Sequence, residues 1–405
     1  MEYVRQNAAK AWGIIKREWP LELSATLLIG IAFILLTTSI RSLVGGYSAV
    51  EAATVASTDT FPSVIDNLLY WPYFVLVWVT RLVIDDAFFA ARTTSALMGL
   101  SAVIGMFFII SRWFGPRLGI VGASVFLTGS WFLTLSRVGG PEISGVASLL
   151  VTYAAGLWLI NSPRKLLPAI VALLSSFIAS FTPFMPWLFI AGLIFAVTKA
   201  RPLLKIVPIW LWIVSGLAAL GVGGALIAGV LNNAEDVRII FGLPSSLSSP
   251  VEMLRNIQES LGALFWFAPT NPGSWLSNLP VLDIFGVVMV VLGVYSLEQS
   301  ISLRRSQIVI GTLLIITFFL GINDGVSSAG FSLLLPIITI YLISGLQQYL
   351  RLWLSVFPRN PFAKGLAVGA LSILIAVSSL YQLQRYFVAW AQAPETREVY
   401  NIQSE

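Results

Sequence analysis

Long apolar runs alternate with short polar segments along the whole chain. Each run is close to the roughly 20 residues that a helix needs to cross a hydrocarbon core of about 30 Å. No segment shows the sustained two-residue alternation of a membrane β-barrel. The pattern therefore predicts an all-α polytopic membrane protein with about eleven transmembrane helices, at approximately 20–39, 88–110, 118–136, 143–161, 166–182, 185–198, 206–230, 281–296, 308–322, 330–349 and 365–383.

Composition indicates that lipid is the solvent of this chain. Of its 405 residues, 57% are hydrophobic and only 11% are charged, and no soluble fold of this size hides so much apolar surface from water. The chain has no cysteine and no histidine, which excludes thiolate chemistry, histidine-ligated metals and histidine proton relays. Catalysis would have to use carboxylates, Lys, Arg, Tyr or a cation held by oxygen ligands.

Basic residues are concentrated in alternate polar segments. Pairs such as Arg164–Lys165 and Arg304–Arg305 mark cytoplasmic ends, because loops rich in Lys and Arg stay inside. The net charge of +5 therefore reflects membrane topology and does not indicate a nucleic-acid partner. The expected division is a basic amphipathic helix on the inner leaflet at 1–19, a transmembrane domain at 20–383 and a short outer tail at 384–405.

The stretch LLYWPYFVLVWVT at 68–80 is apolar but is predicted not to span the membrane. It is short, contains Pro72 and is followed by Arg81. Counting it as a span would reverse every later segment and leave more than half of the basic residues outside. We expect it to lie at the outer interface with its Trp and Tyr at headgroup level, so that 40–87 forms one long outer loop with interfacial helices.

A second outer loop is predicted at 231–280. Between 250 and 265 it carries apolar residues at helical spacing, with Val251, Leu254, Ile257 and Leu261 on one face. This spacing predicts an amphipathic helix on the outer leaflet. Such a helix could cover a cavity and help to select an acceptor.

Several segments, in order, resemble a known family. An acid near the start of the first outer loop is followed by ARTTSALMGL, and then by LSRVGGPE after the third predicted span. Later come NLPVLDIFGVVMVVLGVYS from Asn278 and SSAGFSLLLPIITIYLISGL from Ser327. Together they resemble the GT-C membrane glycosyltransferases, in particular the bacterial and archaeal branch related to protein O-mannosyltransferases and lipid A aminoarabinose transferase. The resemblance covers most of the chain and implies an integral plasma-membrane protein of a prokaryote, with its active site facing outside.

The resemblance implies transfer of a sugar, with inversion, from a polyprenyl-phosphate-linked donor to an acceptor at the outer face of the bilayer. The acceptor stays open between a protein, a glycolipid and a cell-wall polymer. Such a reaction needs a carboxylate that takes the proton of the attacking hydroxyl, and cations that stabilise the phosphate leaving group. The predicted residues are Glu51 and Glu142 for catalysis, and Arg92, Arg137, Asp85 and Asp86 for substrate binding.

A divalent cation is an optional part of this hypothesis. Without Cys or His, it would be Mg²⁺ or Mn²⁺ held by oxygen ligands, with Glu51 and Glu142 as the candidate ligands. Structural explanations stay open for the same residues. Glu51 could lie on the wet face of an outer helix, Glu142 could favour a helix N-terminus electrostatically, and Arg92 and Arg137 could extend to the lipid headgroups.

Two positions depart from the family pattern. Val50 precedes Glu51 where the family often has Asp-Glu, and Gly330 stands where an Arg is common. Both departures keep a second hypothesis open, a catalytically inactive homologue that handles lipid or forms a complex. A transporter is less consistent with the pattern, because the apolar runs are nearly free of charge and the acids lie at the outer ends.

Overall fold

The computed structural model describes residues 21–42, 44–162, 166–197, 208–246, 248–268, 271, 273, 279–323, 325–327, 329–357 and 360–402. Within these ranges the chain is helices and turns, with one isolated antiparallel bridge between Tyr47 and Ile402. This confirms the all-α class. The predicted basic helix at 1–19 and the NLPVLDIF segment's first residue, Asn278, lie outside the described residues.

The helices follow one another in a simple order along the chain. They are α1 (Leu21–Thr37), α2 (Ala49–Ser57), α3 (Phe61–Asp66), α4 (Trp71–Arg81), α5 (Ala87–Phe114), α6 (Pro116–Thr128), α7 (Ser130–Arg137), α8 (Glu142–Asn161), α9 (Leu166–Ala179), α10 (Met185–Val197), α11 (Ile209–Asn232), α12 (Ala234–Ile240), α13 (Pro250–Phe265), α14 (Ile284–Gln299), α15 (Arg304–Ile322), α16 (Leu334–Val356), α17 (Pro361–Gln384) and α18 (Pro394–Val399). Two 3₁₀ turns, Gly325–Ser327 and Phe331–Leu333, precede α16, and a π-helix at Arg385–Trp390 continues α17.

Every predicted apolar run coincides with a helix, but the count of about eleven spans is not confirmed. Among the described residues, six helices are long and apolar enough to cross a membrane: α5, α8, α11, α15, α16 with its preceding turn, and α17 with its π-helical extension. Helices α6 and α7 add a seventh only if they form one span bent by 67°. Helices α1, α9 and α14 are apolar but shorter.

The segment at 68–80 forms the short helix α4. Its 11 residues give a length of about 16 Å, roughly half of a hydrocarbon core. Tyr73, Phe74 and Val77 are buried, in a helix that packs against α5. Helices α2, α3 and α4 therefore form a connection between α1 and α5 that is built of short helices, as the sequence predicts. The side of the membrane on which they lie stays a prediction.

Helix α16 is the centre of the bundle, and it meets α14 backbone to backbone. A Cβ added at Gly293 would lie 1.9 Å from the Tyr341 carbonyl oxygen, and one at Gly345 would lie 1.9 Å from the Met289 carbonyl oxygen. Small residues that let helices touch are typical of membrane interiors, where packing rather than hydrophobicity holds helices together. By contrast, Leu211 is the buried residue of α11, so α11 lies at the periphery.

The predicted amphipathic helix at 250–265 is α13. Its Met253 and Ile257 side chains pack closely against Gly321 of α15, since a Cβ added at Gly321 would lie 2.9 Å from both. Val251 and Leu254 remain exposed. Only part of the predicted apolar face is therefore used in packing, and the remainder is free for lipid.

One end of the bundle collects the candidate site. There the first turns of α5 and α8 meet the turn that joins α7 to α8, because a Cβ at Gly139 would lie 2.9 Å from the Ala91 Cβ. The segment before α2 is fixed to the C-terminal tail by two backbone hydrogen bonds between Tyr47 and Ile402, of 2.9 and 3.2 Å. The first connection, the α7–α8 turn and the C-terminal tail therefore share one end of the molecule.

Candidate functional site

Glu51 and Arg92 form a buried ion pair. Arg92 Nε lies 2.6 Å from Glu51 Oε1, and Arg92 Nη2 lies 3.2 Å from Glu51 Oε2. The Arg92 side chain is 4% exposed and the Glu51 side chain is 1% exposed. This two-point contact between a planar guanidinium and a carboxylate is the strong form of an ion pair.

Glu51 owes its place to the start of α2. The Ser48 side chain accepts a hydrogen bond from Glu51 N, while the Glu51 carboxylate accepts one from Ser48 N at 2.9 Å. This reciprocal arrangement is a capping box. Glu51 Oε1 also accepts from Gly139 N at 3.0 Å. Each carboxylate oxygen therefore has several donors, and Glu51 connects α2, α5 and the α7–α8 turn.

All the N–H groups of the Arg92 guanidinium are occupied as well. Besides Glu51, Nη1 donates to the carbonyl oxygens of Ile40 at 2.8 Å and Arg41 at 3.3 Å, and Nη2 donates to that of Gly46 at 2.8 Å. The cation also lies over the Tyr47 ring, 4.6 Å from its centroid. Arg92 thus holds the chain between α1 and α2, and it has no N–H left for a phosphate.

Glu142 lies beside this pair but is held differently. It is the first residue of α8 and is partly exposed. Its Oε2 atom and the Val50 side chain would both touch a Cβ at Gly140, at 2.6 and 3.2 Å. Among the described residues, no cation lies within ion-pair distance of its carboxylate. Glu142 therefore lacks the cationic partner that Glu51 has.

Arg137 is buried at the end of α7. Its Nη atoms donate to the carbonyl oxygens of Leu35 and Thr38, and its Nε lies 3.1 Å from the Tyr386 hydroxyl oxygen. The guanidinium also lies 5.0 Å from the Phe387 ring centroid. Arg137 ties the end of α1 to the π-helical extension of α17, a structural role like that of Arg92.

The neighbouring residues Asp85 and Asp86 have different structural roles. Asp86 is the N-cap of α5, where its Oδ1 accepts from Phe89 N at 2.9 Å. Asp85 is exposed and makes no such bond among the described residues. Nothing in this arrangement brings either side chain to the Glu51–Arg92 pair.

The acids present do not fit a divalent cation held between Glu51 and Glu142. Mg²⁺ and Mn²⁺ need several oxygen ligands with free lone pairs, and both Glu51 oxygens already accept from protein donors. The described part of the chain holds no group of three or more acidic side chains close enough for a metal ion.

Two tyrosines border the Glu142 side of the site. The Tyr73 hydroxyl lies 2.9 Å from Ser95 Oγ, and Tyr70 OH donates to the Ala329 carbonyl oxygen at 3.3 Å. Burial raises the pKa of both phenols, and the negative charge of Glu142 adds to this effect. Both phenols are therefore neutral, and their hydroxyl groups bond within the protein to Ala329 and Ser95.

A polar cavity of about 300 Å³ opens on the far side of Tyr70. Ala329, whose carbonyl accepts from Tyr70, is part of its wall, together with Pro183, Phe184, Glu235, Arg238, Ile239, Gly242, Leu243, Pro244, Ser245, Ser246, Ser248, Ile322 and Asn323. Glu235 and Arg238 form an ion pair at its rim. Hydroxyl, amide and charged groups of this kind can bind the hydroxyls of a sugar.

The structure gives a physical reason for one of the two departures from the pattern that the resemblance implies, and it shows the surroundings of the other. A Cβ at Gly330 would lie 1.9 Å from the Phe184 ring, so no arginine fits there. Val50 is 46% exposed and lies next to Glu142, whereas Glu51 is fully buried. Val50, which stands where an acid is expected, is therefore exposed, whereas Glu51, where the acid is present, is buried.

The structural role of Glu51 has a signal in the sequence, because Ser48 and Glu51 have the S-x-x-E spacing of a capping box. Tyr70 and Tyr73 are not among the predicted site residues. No local pattern marks them, since they reach the site through the fold of the first connection.

No family model matches this chain. No curated protein matches it.

Solved structures do match it. The chain is similar to the crystal structure of ArnT from Cupriavidus metallidurans in the apo state, with a TM-score of 0.57 and 12% identity over 97% of this chain and 78% of that one. It is also similar to ArnT bound to undecaprenyl phosphate, with a TM-score of 0.54 and 13% identity over 93% and 76%. A third is the Archaeoglobus fulgidus oligosaccharyltransferase tethered with an acceptor peptide containing the NVT sequon, with a TM-score of 0.53 and 14% identity over 96% and 56%.

These similarities define the class of the protein. Both neighbours are GT-C glycosyltransferases, and at 12 to 14% identity the shared property is the fold. This chain is an integral membrane protein of the GT-C fold. It spans little more than half of the oligosaccharyltransferase.

Proposed function

We propose that this protein is a membrane glycosyltransferase. It transfers a sugar from a polyprenyl-phosphate-linked donor to an acceptor hydroxyl at the outer face of a prokaryotic plasma membrane, with inversion. The observation that carries the proposal is Glu142, a half-buried residue at the head of α8 whose carboxylate forms no ion pair within the described part of the chain. The GT-C fold supports it.

Glu142 is the general base in this mechanism. Its carboxylate accepts the proton of the acceptor hydroxyl while that oxygen forms a bond to the anomeric carbon. The bond between the anomeric carbon and the phosphate oxygen breaks, and polyprenyl phosphate leaves with the bonding electrons. A single displacement of this kind inverts the anomeric centre. The buried phenols of Tyr70 and Tyr73 fix the packing on this side of the site through their bonds to Ala329 and Ser95.

Glu51 and Arg92 act as positioning residues. Glu51 accepts a hydrogen bond from Gly139 N, three residues before Glu142, and therefore fixes the turn from which the base projects. Arg92 holds the other side of Glu51 and the chain before α2. A base held within hydrogen-bond reach of its proton is a requirement for this chemistry.

The proposed partners follow from the same mechanism. One structural neighbour is bound to undecaprenyl phosphate and another carries an acceptor peptide, which supports a lipid-linked donor and a separate acceptor for this chain. The polar cavity beside Tyr70 provides hydroxyl and amide groups for a sugar. The acceptor is a protein, a glycolipid or a cell-wall polymer.

One observation favours a second candidate function, a GT-C homologue without transferase activity that binds polyprenyl phosphate. Val50 occupies the open position beside Glu142 where the family often carries an acid. If two carboxylates are required there, Glu142 alone does not complete the reaction. Substitution of Val50 distinguishes the two functions.

The test is sugar transfer from a panel of polyprenyl-phosphate donors in proteoliposomes. Wild type is compared with Glu142→Gln, with Val50→Asp and with Asp66→Asn, an exposed control at the end of α3. We expect Glu142→Gln to lower transfer by about 10²- to 10⁴-fold, the usual range for loss of a general base, and Asp66→Asn to leave it unchanged. Wild-type transfer that ignores Glu142→Gln contradicts the proposal. Transfer that begins only in Val50→Asp supports the second candidate.

A further inference from the structure

A lipid-facing groove separates α1 from the first half of α5. Its volume is about 240 Å³, and its wall includes Phe33, Ile40, Phe89, Leu97 and Leu100. The helices run antiparallel here, so Ile40 and Phe89 lie at one end and Phe33 and Leu100 at the other. At about 1.5 Å per helical residue the groove is roughly 10 to 16 Å long.

The wall of this groove is apolar in practice. Its two threonines bond within their own helices, Thr37 Oγ1 to the Phe33 carbonyl oxygen and Thr93 Oγ1 to the Phe89 carbonyl oxygen, both at 2.7 Å. Phe33 and Leu97 are each about half exposed, at 52% and 53%. The groove therefore opens to the surroundings and offers a hydrocarbon chain no unmet polar group.

A cation stands at one end of the groove. Arg41 follows the wall residue Ile40, and its guanidinium carbon lies 3.8 Å from the centroid of the Phe89 ring, which is also part of the wall. Arg41 is exposed. Within the described ranges, no carboxylate lies within ion-pair distance of its guanidinium.

This cationic end coincides with the Glu142 end of the bundle. The Arg41 carbonyl accepts from Arg92, Arg92 pairs with Glu51, and Glu51 accepts from Gly139 in the turn that leads to Glu142. The nearby cations Arg92 and Arg137 donate to backbone carbonyls. At the same end of the bundle, the Arg41 guanidinium is therefore able to bind an anionic ligand.

We infer that the α1–α5 groove binds the lipid part of the donor, with one isoprenoid chain along the apolar wall and its phosphate against Arg41. This inference rests on the proposed function for the identity of the lipid. The charge complementarity at the Arg41 end selects an anionic headgroup. The hydrogen-bonded connection from Arg41 to Glu142 favours the donor over bulk phospholipid, because it places the phosphate at the end where the base lies.

The test measures lipid binding directly, independently of sugar transfer. Purified full-length protein is released from phosphatidylcholine nanodiscs, and its affinities for farnesyl phosphate and farnesol are compared by native mass spectrometry. The variants are Arg41→Gln, Arg41→Lys and Leu97→Trp. The controls are Arg255→Gln, an exposed arginine on α13, and Leu314→Trp, an exposed leucine on α15.

We expect wild type to prefer farnesyl phosphate to farnesol, and Arg41→Gln to lose that preference, with roughly tenfold weaker binding of the phosphate from loss of one charge-assisted contact. Arg41→Lys should restore much of it. Leu97→Trp should weaken both lipids by filling the groove. An unchanged preference in Arg41→Gln overturns the inference, and so does a Leu97→Trp result equal to that of Leu314→Trp.

Competition with phosphatidylglycerol tests the choice of lipid. Displacement of farnesyl phosphate at equal concentration would make the groove a general site for anionic lipid and overturn the assignment to the donor. Binding and transfer can fail separately. Loss of transfer in Glu142→Gln with normal farnesyl phosphate binding supports both proposals, whereas absence of all transfer with Arg41-dependent binding rejects the transferase and retains the lipid site.

Discussion

Removal of Arg92 should test most directly whether the Glu51–Arg92 pair holds the fold. In Arg92→Met, Glu51 stays buried at 1% side-chain exposure without its cation, and the carbonyl oxygens of Ile40 and Gly46 lose their donors. Breaking a buried ion pair from one side typically costs about 3 to 5 kcal/mol, because the remaining charge is left uncompensated. We expect Arg92→Met to lose stability by about this amount.

The reverse substitution should cost less. In Glu51→Gln the cation of Arg92 keeps three backbone carbonyl partners, and the amide oxygen can still accept from Ser48 N or Gly139 N. A lost hydrogen bond to a charged group is worth about 1.5 to 3 kcal/mol. The double variant should be less unstable than the sum of the single ones, by about 0.5 to 3 kcal/mol, since the two residues share one network.

Thermal unfolding in detergent, followed by tryptophan fluorescence, gives the order of stability, and transfer in matched proteoliposomes gives the activity. Stability and activity should fall together in Arg92→Met and Glu51→Gln, whereas Glu142→Gln should lose activity at nearly wild-type stability. A Glu51→Gln protein of wild-type stability that has lost a hundredfold or more in transfer would refute this reasoning. Glu51 would then be a chemical group, as the resemblance implies.

Four further expectations concern single contacts. Asp86→Ala should lower the free energy of unfolding by about 1 kcal/mol, because it removes the N-cap of α5. Asp85→Ala should change this free energy by no more than about 0.5 kcal/mol. Equal unfolding midpoints of the two variants would contradict the capping role of Asp86. Gly330→Ala should cost about 1 to 3 kcal/mol, because the new Cβ would overlap the Phe184 ring, whereas Gly311→Ala, which meets nothing within 4 Å, should be neutral. Gly330→Arg should therefore not raise transfer in the same proteoliposome assay. Burial raises the pKa of Tyr70 and Tyr73, so both phenols ionise more readily in the unfolded chain than in the folded protein. Their contribution to stability should therefore be complete below about pH 10 and decline above it. In a pH series of unfolding midpoints, Tyr73→Phe should reduce that decline.

The example of Glu51 shows which part of a residue's role can be predicted from the sequence. This isolated acid in the first connection is conspicuous in the sequence, because few charges occur in so apolar a chain. Its role depends on partners 41 and 88 positions away along the chain, Arg92 and Gly139. Only the local partner, Ser48, could have been read from the spacing of the capping box.

The two predicted carboxylates are neighbours but not equivalents. The sequence placed Glu51 and Glu142 on the same side through the positions of the basic residues, and the structure brings both to one end through the turn at Gly139 and Gly140. Which of them has a cationic partner was not predictable. That depends on where the Arg92 guanidinium points, and hence on how α5 packs against α2.

The amino-acid sequence alone predicts that this protein is a bundle of membrane helices, where most of those helices lie, and that 68–80 is too short to be one of them. These properties follow from the length and apolarity of each run, which set the free energy of every segment in lipid separately. The packing of the helices decides that Arg92 and Arg137 bond backbone carbonyl groups, that Gly330 leaves no room for a cation, and that Arg41 lies exposed at the end of a groove. Such properties arise from contacts between segments distant in the chain, and a hydrogen-bond partner is fixed only when both segments have been packed together.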